Sequence, residues 1–402
     1  ANVATTGKIT IPLMIKNGYT KEMAGAVEAV ASTGGQLMPP VMGVVAFIMA
    51  SVTSNHYFQI CKTALFPALI FYLYLAFTIQ LRAIRKNLPI PDKEEQHDLW
   101  ITFKKDGYLL LSLVVLVYSL AIYMPPAIAA YNAILSLVFL FTIKTMITKK
   151  RIKPALCDIG TFLVQSLSSG AKQAAKLGLI LACLGIMVEL FVVTGFAQKI
   201  SFQMIELSRG NLLLMLLFIA ITCLLFGMGM PTVGTYMVVS VLSAPALVKL
   251  GIPLLAAHMF VFYFGLMAMV TPPVGVGVIV ATGISEGNYF KTAFNATKLA
   301  LPGFILPLFF IFRPEILWID TSFVGVFITF VYILIGLFCL AIVFERHFFD
   351  HLKFWEIIFF TINSILLLSP GNLTSLIGLF LFTSYLAYYH IKSKKTGKTF
   401  NE

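Results

Sequence analysis

Two apolar stretches broken by glycine and proline in mid-run, residues 9–50 and 227–282, constrain this chain more than any other feature. Around them recur further apolar segments: 64–81, 108–123, 126–145, 177–197, 212–226, 296–312, 323–344, 355–368 and 373–391. At 1.5 Å rise per residue such segments suit helices crossing a hydrocarbon layer about 30 Å thick. Apolar residues make up 59% of the 402 and charged residues 11%. Soluble domains run at about 45–50% and about 25%, so lipid must cover the excess. Irregular backbone at membrane depth survives only where protein or a watery cavity receives its polar groups. The two broken stretches are therefore where function is to be sought.

The net charge of +12 does not point to nucleic acid, because Lys and Arg sit mostly in short loops and the tail. One loop holds Arg82, Arg85, Lys86, Lys93, Lys104 and Lys105, mixed with acids; another holds Lys144, Lys149, Lys150, Arg151 and Lys153. Two helices separate them, so both fall on one side, which the positive-inside rule makes cytoplasmic. The tail at Lys392, Lys394 and Lys395 reads the same way, and residues 313–320, with Trp318 as an interface anchor, fall outside. Cys61, Cys157, Cys183, Cys223 and Cys339 are scattered without a CxxC pair and read as small packing residues.

The broken stretches match each other. With Pro39-Pro40 on Pro272-Pro273, an offset of 272 − 39 = 233, Pro12 falls on Pro245, Gly18 on Gly251, Ala24 on Ala257, Val41 on Val274 and Asn55 on Asn288, without a gap. Gly34-Gly35 has no glycine counterpart. Repeats with interrupted segments at corresponding positions mark many secondary transporters, whose half-helix ends and unwound backbone meet near the midplane. An inverted arrangement is the expectation here.

The first break, Ser32-Thr33-Gly34-Gly35-Gln36-Leu37-Met38-Pro39-Pro40, combines glycines that leave helical geometry cheaply with prolines that remove backbone donors. Freed carbonyls, helped by the Ser32 or Thr33 hydroxyl, suit a small hard cation such as sodium. A plain tight turn explains the same residues. The second break, Thr271-Pro272-Pro273-Val274-Gly275, invites the same argument. Upstream, Gly227-Met228-Gly229-Met230-Pro231-Thr232 is expected to interrupt its helix and lead to Thr232, Gly234 and Thr235, which can line a site; a kinked helix is the plainer alternative. Gly185 to Gly195 suggests close helix approach. Within that stretch Glu189 is costly inside a span and reads as a proton carrier, a substrate contact, or an acid paired with Lys172 or Lys176. Glu28, His258 and Glu286 are further single titratable groups near the breaks. No HExxH, GxxxxGK[ST] or GxGxxG occurs, and the GxSxG string Gly283-Ile284-Ser285-Glu286-Gly287 lacks the strand a hydrolase elbow needs. An enzyme is not expected, nor a cofactor.

With these segments in hand, the chain resembles the fused permease subunits of tripartite ATP-independent periplasmic (TRAP) transporters, and looks closest to the TAXI branch. The resembling stretches run from Glu28 to Gly43, from Gly227 to Thr232, and from Ala256 to Phe264 on to Thr271-Pro272-Pro273-Val274. The resemblance spans roughly residues 1–313. It implies an all-α polytopic membrane protein with about nine or more transmembrane helices, two re-entrant hairpins and an elevator mechanism, multi-pass in the bacterial inner membrane. It also implies sodium as coupling ion, a small organic anion as substrate (dicarboxylate or glutamate-like), and a periplasmic substrate-binding protein as partner. By that likeness Gly34, Gly35 and Pro39 match the first hairpin's ion-binding stretch, and Gly229, Thr232, Thr271 and Pro272 the second, with Ser32, Thr33 and Gly275 beside them; Gly234, Thr235 and Glu189 are the candidate substrate lining. Members carry further segments ahead of the point where this chain starts. A small scaffold subunit or an N-terminal segment before Ala1 is accordingly expected, and a proton-coupled or non-transporting variant stays open. The organisation expected is a first repeat over 1–63, intervening helices and loops over 64–176, the second repeat over 177–313, and C-terminal helices with a basic tail over 314–402.

Overall fold

The computed structural model describes residues 2–89, 100, 103, 107–148 and 152–396. Lys93, Lys104, Lys105, Lys149, Lys150 and Arg151 of the two basic loops lie outside the described residues. The described residues are helical, apart from an isolated bridge between His347 and His351. A first unit holds α1 (Asn2–Lys16), α2 (Lys21–Gly34), α3 (Val44–Val52) and α4 (Tyr57–Arg85). Then come α5 (Leu110–Ala121), α6 (Pro126–Thr148), α7 (Ile152–Val193), α8 (Phe196–Leu207) and α9 (Leu212–Gly229). A second unit holds α10 (Thr232–Lys249), α11 (Leu254–Met267), α12 (Val276–Ser285), α13 (Tyr289–Leu299) and α14 (Leu301–Phe312). The chain continues with α15 (Phe323–Glu345), α16 (Phe354–Leu368) and α17 (Asn372–Thr396). Seven spans are long and apolar enough to cross a membrane, while α5, α11, α12 and α16 are shorter apolar helices.

The offset found in the sequence is the offset of the fold. Adding 233 to the bounds of α2 gives 254 and 267, the bounds of α11; α3 maps onto α12 within one residue. Pro12 lies inside α1 and Pro245 inside α10. Gly18 turns the chain into α2 at φ +92° and Gly251 turns it into α11 at +86°. These left-handed values are open to glycine at little cost. Met42 and Gly275 both take φ +42° after the proline pairs, and Pro39-Pro40 and Pro272-Pro273 are both cis. Each unit is thus one helix, a helix–turn–helix hairpin, and a further crossing. The broken stretches are less irregular than the sequence suggested: α1 and α10 are regular helices on either side of their prolines, and apart from short turns between helices the helical path is lost at residues 35–43 and 268–275.

Contacts around α4 settle the relative direction of the two units. Near its start, Lys62 lies over Trp318 at 4.1 Å and Phe66 packs on Trp318 and Phe323. At its end, Arg82 and Arg85 reach Glu345 at 3.4 and 3.1 Å, and Arg85 also donates to the Glu345 carbonyl at 2.8 Å. Helix α4 therefore runs parallel to α15. Helix α14 ends beside Trp318, at the start of α4, and Tyr74 of α4 donates to the Lys298 carbonyl of α13 at 3.3 Å. The α13–α14 crossing is antiparallel to its counterpart α4, so the repeat is inverted.

The first arms of the hairpins, α2 and α11, are the best-buried helices among the described residues. Every residue of α11 from Ala256 to Met267 is buried, and ten of the fourteen residues of α2 are. A helix apolar on all sides belongs in an interior. Helix α2 packs against α1, α4, α12 and α13, while α11 packs against α9, α10 and α14. Small residues allow this: a methyl group on Gly25 would stand 3.0 Å from Ser285 Oγ and 3.2 Å from Thr292 Cγ2. By contrast only 6% of the α6 span and of the α7 span is buried.

Two outcomes follow. Single cysteines at Lys86 and Asp320, in a background without other cysteines, should react with an impermeant maleimide from opposite faces of sealed vesicles; labelling from one face would contradict the parallel pairing of α4 with α15. Glu345→Ala leaves two guanidinium groups facing each other without their shared carboxylate. It should lower unfolding stability in detergent by about 2–3 kcal/mol, below the usual cost of a fully buried pair because both arginines keep partial exposure.

Candidate functional site

The broken backbone is held by side chains from the crossing helices. Tyr57 at the start of α4 donates its hydroxyl to the Pro40 carbonyl at 2.8 Å, and Tyr289 at the start of α13 donates to the Pro273 carbonyl at 2.9 Å. Tyr72 of α4 donates to the Ala31 carbonyl in the last turn of α2 at 3.0 Å. Two carbonyls near the first break, those of Ala31 and Pro40, are thus already engaged. Within the hairpins Thr33 donates to the Ala29 carbonyl at 2.7 Å and Thr271 to the Met267 carbonyl at 2.6 Å. A hydroxyl that donates in this way keeps its lone pairs. Each break consequently presents hydroxyl oxygen able to accept a cation.

Gly34 and Gly35 do not leave helical geometry. Gly34 is the last residue of α2, and Gly35 keeps a right-handed φ of −56°. Their value is closeness: a methyl on Gly34 would meet Phe71 Cε1 at 2.6 Å, and one on Gly35 would meet the Ser32 carbonyl at 3.2 Å and Asn2 Nδ2 at 3.5 Å. Met42 takes the left-handed turn instead, because the reversal comes after the prolines rather than before them.

The structure brings Ser32, Thr33, Gly34 and Gly35 together with Asn2 of α1 and Phe71 and Tyr72 of α4. Pro39 follows in the same turn. Thr271, Pro272 and Gly275 gather beside Tyr289, whose hydroxyl lies 3.3 Å from the methyl position of Gly275. The two groups meet where Thr33 Oγ1 stands 3.5 Å from the methyl position of Gly277. On the other side of the second hairpin, α9 ends at Gly229, Met230 is extended, and α10 starts at Thr232, so the expected interruption is present and two residues long. Thr235 of α10 lies against Gly265, where a methyl would stand 3.2 Å from Thr235 Cγ2, and Gly227 lies so close to Ala268 that it has no room for a side chain. Thr232 and Thr235 are buried there. Gly234 faces Leu184 of α7, Gly229 has open space where a side chain would stand, and Glu189 is exposed on α7, as are Lys172 and Lys176. Gly185 and Gly195 have no neighbour within 4 Å, so the close helix approach expected of them does not occur among the described residues.

Sequence reasoning passed over α1. Thr6 and Thr10 each donate to Glu28, at 2.5 Å to either carboxylate oxygen, and Ser32 donates at 2.9 Å. The signal was the i, i+4 spacing of polar residues on a helix, which Asn2, Thr6 and Thr10 obey. His258, buried, shares a 2.8 Å hydrogen bond with Tyr236 and borders a cavity of about 480 Å³ between α3, α8, α10 and α11. Lys21 and Glu286 form an exposed pair at 3.1 Å that joins the start of the first hairpin to the end of the second. Among the described residues no group of three His, Cys, Asp or Glu side chains is arranged to hold a metal ion.

Residues 1–344 match the family described as "Tripartite ATP-independent periplasmic transporter, DctM component". Among curated proteins, the chain is 26% identical to a C4-dicarboxylate TRAP transporter large permease protein of Vibrio cholerae, over 80% of this chain and 72% of that one. It is 24% identical to the protein of the same description in Rhodobacter capsulatus, over 71% of this chain and 66% of the relative. A 2,3-diketo-L-gulonate TRAP transporter large permease protein of Escherichia coli is 21% identical, over 79% and 72%.

Gly34→Ala tests the packing of the first break. The added methyl must displace Phe71, so unfolding stability in detergent should fall by about 1–3 kcal/mol, whereas Gly229→Ala, which meets open space, should cost less than about 1 kcal/mol.

Proposed function

Because the chain belongs to the DctM component family of tripartite ATP-independent periplasmic transporters, we propose that it carries a small organic anion through the bacterial inner membrane in exchange for the energy of a sodium gradient. The chain is a multi-pass membrane permease by family and by its apolar helices. The observation that carries the finer reading is the inverted pair of broken hairpins whose tips meet at Thr33 and Gly277. Hydroxyl oxygens and unwound carbonyls at such tips suit a small hard cation, and positive half-helix ends suit a carboxylate. Ser32, Thr33, Thr232 and Thr271 are the hydroxyls we assign to ion coupling, with the backbone at Gly34, Gly35, Pro39, Gly229, Pro272 and Gly275.

The substrate is a dicarboxylate or a related organic acid, since the curated relatives named above are permeases for C4-dicarboxylates and for 2,3-diketo-L-gulonate. It arrives on a soluble periplasmic binding protein, and a small membrane subunit completes the three-part assembly that the family description names. The mechanism is an elevator: the two hairpin units, packed on one another through α2, α12 and α13, move as a body against the helices that surround them.

The test is uptake of a labelled four-carbon dicarboxylate into proteoliposomes that hold the permease with its small subunit and binding protein. Accumulation on an inward sodium gradient is expected. Thr271→Val, which removes one hydroxyl, should raise the sodium concentration for half-maximal uptake about tenfold, equivalent to 1.4 kcal/mol. Uptake that needs no sodium, or a variant with unaltered sodium dependence, would sink the coupling assignment.

A further inference from the structure

The two units share a fold but not the chemistry around Glu28. In the first unit Thr6, Thr10 and Ser32 place three hydroxyls on one carboxylate, and Glu28 is 6% exposed. Adding 233 to each position gives Val239, Ser243, Val261 and Gly265 in the second unit. Val239 and Val261 are fully buried, and Ser243 bonds only the Val239 carbonyl of its own helix, as Thr10 also bonds the Thr6 carbonyl. The second unit shows that this hairpin packs well with an apolar pair at the core of the same contact. The fold therefore does not require the polar quartet.

A carboxylate in such a place is expensive unless its charge is compensated. No cation compensates this one among the described residues. Helix α12 carries no charged residue, and it comes to this place through Ile284, which with Glu28 borders the methyl position of Gly7 of α1. On α1, Lys8 lies two residues from both Thr6 and Thr10, hence on the opposite, exposed face, and Lys16 is in the last turn. On α2, Lys21 pairs with Glu286, and Glu22 is in the first turn. On α13, Lys298 sits over Phe294, and Lys291 is in the first turn. On α4, Lys62 sits over Trp318, and Arg82 and Arg85 pair with Glu345.

We propose that Glu28, with the hydroxyls of Thr6, Thr10 and Ser32, is a site for one monovalent cation, a proton or a sodium ion, additional to the hairpin tips. The donor set is two carboxylate oxygens and three hydroxyl oxygens, all hard, which suits either ion and does not suit a soft metal. Ser32 stands one turn from Glu28 and opens the first break, so loading this site changes the charge directly beside the hairpin tip. This reading rests on the transporter assignment above for its role, though the site itself is read from geometry alone.

The experiment uses the purified full chain in detergent, followed by its unfolding temperature. One arm titrates sodium chloride against choline chloride at constant ionic strength; the other varies pH from mildly acidic to neutral. If sodium is the ion, the unfolding temperature rises with sodium and Glu28→Gln loses the part of that rise that this site adds to the hairpin tips. If the proton is the ion, Glu28→Gln keeps the parent's response to sodium and flattens the pH dependence. Thr6→Val and Thr10→Val keep the carboxylate and should shift the half-saturating sodium concentration, or the midpoint of the pH curve, by about tenfold or one pH unit; they also decide the matter should Glu28→Gln not fold. Ser243→Ala, the counterpart of Thr10, should leave both curves in place. A Glu28→Gln protein with the parent's dependence on both ions, or a parent chain that responds to neither, overturns the proposal. Because no substrate or partner enters the measurement, a failure of the uptake assignment leaves this result readable by itself.

Discussion

Backbone amides and carbonyls cannot be left without partners inside a hydrocarbon layer, and this fold interrupts its helices at membrane depth twice. Each interruption survives because another helix reaches in to complete it. Tyr57 caps Pro40, Tyr289 caps Pro273, and Tyr72 caps Ala31, so the crossing helix of each unit supplies a hydroxyl to its own hairpin. Thr33 and Thr271 close the last turns of α2 and α11 from within. An unsatisfied polar group in that environment costs several kcal/mol, far more than the roughly 1 kcal/mol net of a hydrogen bond in water. The order of the chain around the hairpins, and their burial by α1, α4, α13 and α14, follow from that penalty.

Close approach is the second requirement, and it is met by small side chains rather than by apolar bulk. Lipid tails are as apolar as leucine, so helices in a membrane associate by packing and polar contact more than by exclusion of water. Gly25, Gly34, Gly227 and Gly265 each stand where a side chain would collide with a neighbour. Bulk enters as well, in the aromatic groups of Phe66, Trp318, Phe323 and Phe330. These rings, with the Glu345 cluster at the other end, fix α4 to α15 along its length and hold the first unit against the C-terminal helices.

Inverted duplication gives two hairpins with one geometry, and it leaves each free to carry different chemistry. One such difference is the carboxylate of Glu28 and the hydroxyls that surround it, against Val261 and its apolar neighbours. A symmetric scaffold with an asymmetric polar group is what a device needs when its two halves must respond differently to one ion.

The membrane class, the two breaks and the offset of 233 were legible in the residues, because hydropathy, proline and glycine act locally and the repeat preserves spacing without gaps. Family membership was legible for the same reason: the hairpin motifs are contiguous. What the sequence misjudged was the work of individual residues. Gly34-Gly35 looked like a point of departure from helical geometry, whereas proximity to Phe71 is what excludes a side chain at Gly34, and no local pattern announces a ring contributed by α4. Glu28 was one titratable group among several until α1 laid Thr6 and Thr10 on it, and Glu189 looked equivalent until α7 left it exposed. The inverted direction expected of the repeat rested on no contact until Trp318 and Glu345 met opposite ends of α4. The sequence by itself determined which segments cross the bilayer and where they break; only the tertiary structure decided which polar groups share a site, because hydrogen bonds act over about 3 Å and their partners here lie 18, 22 or more than 200 residues apart.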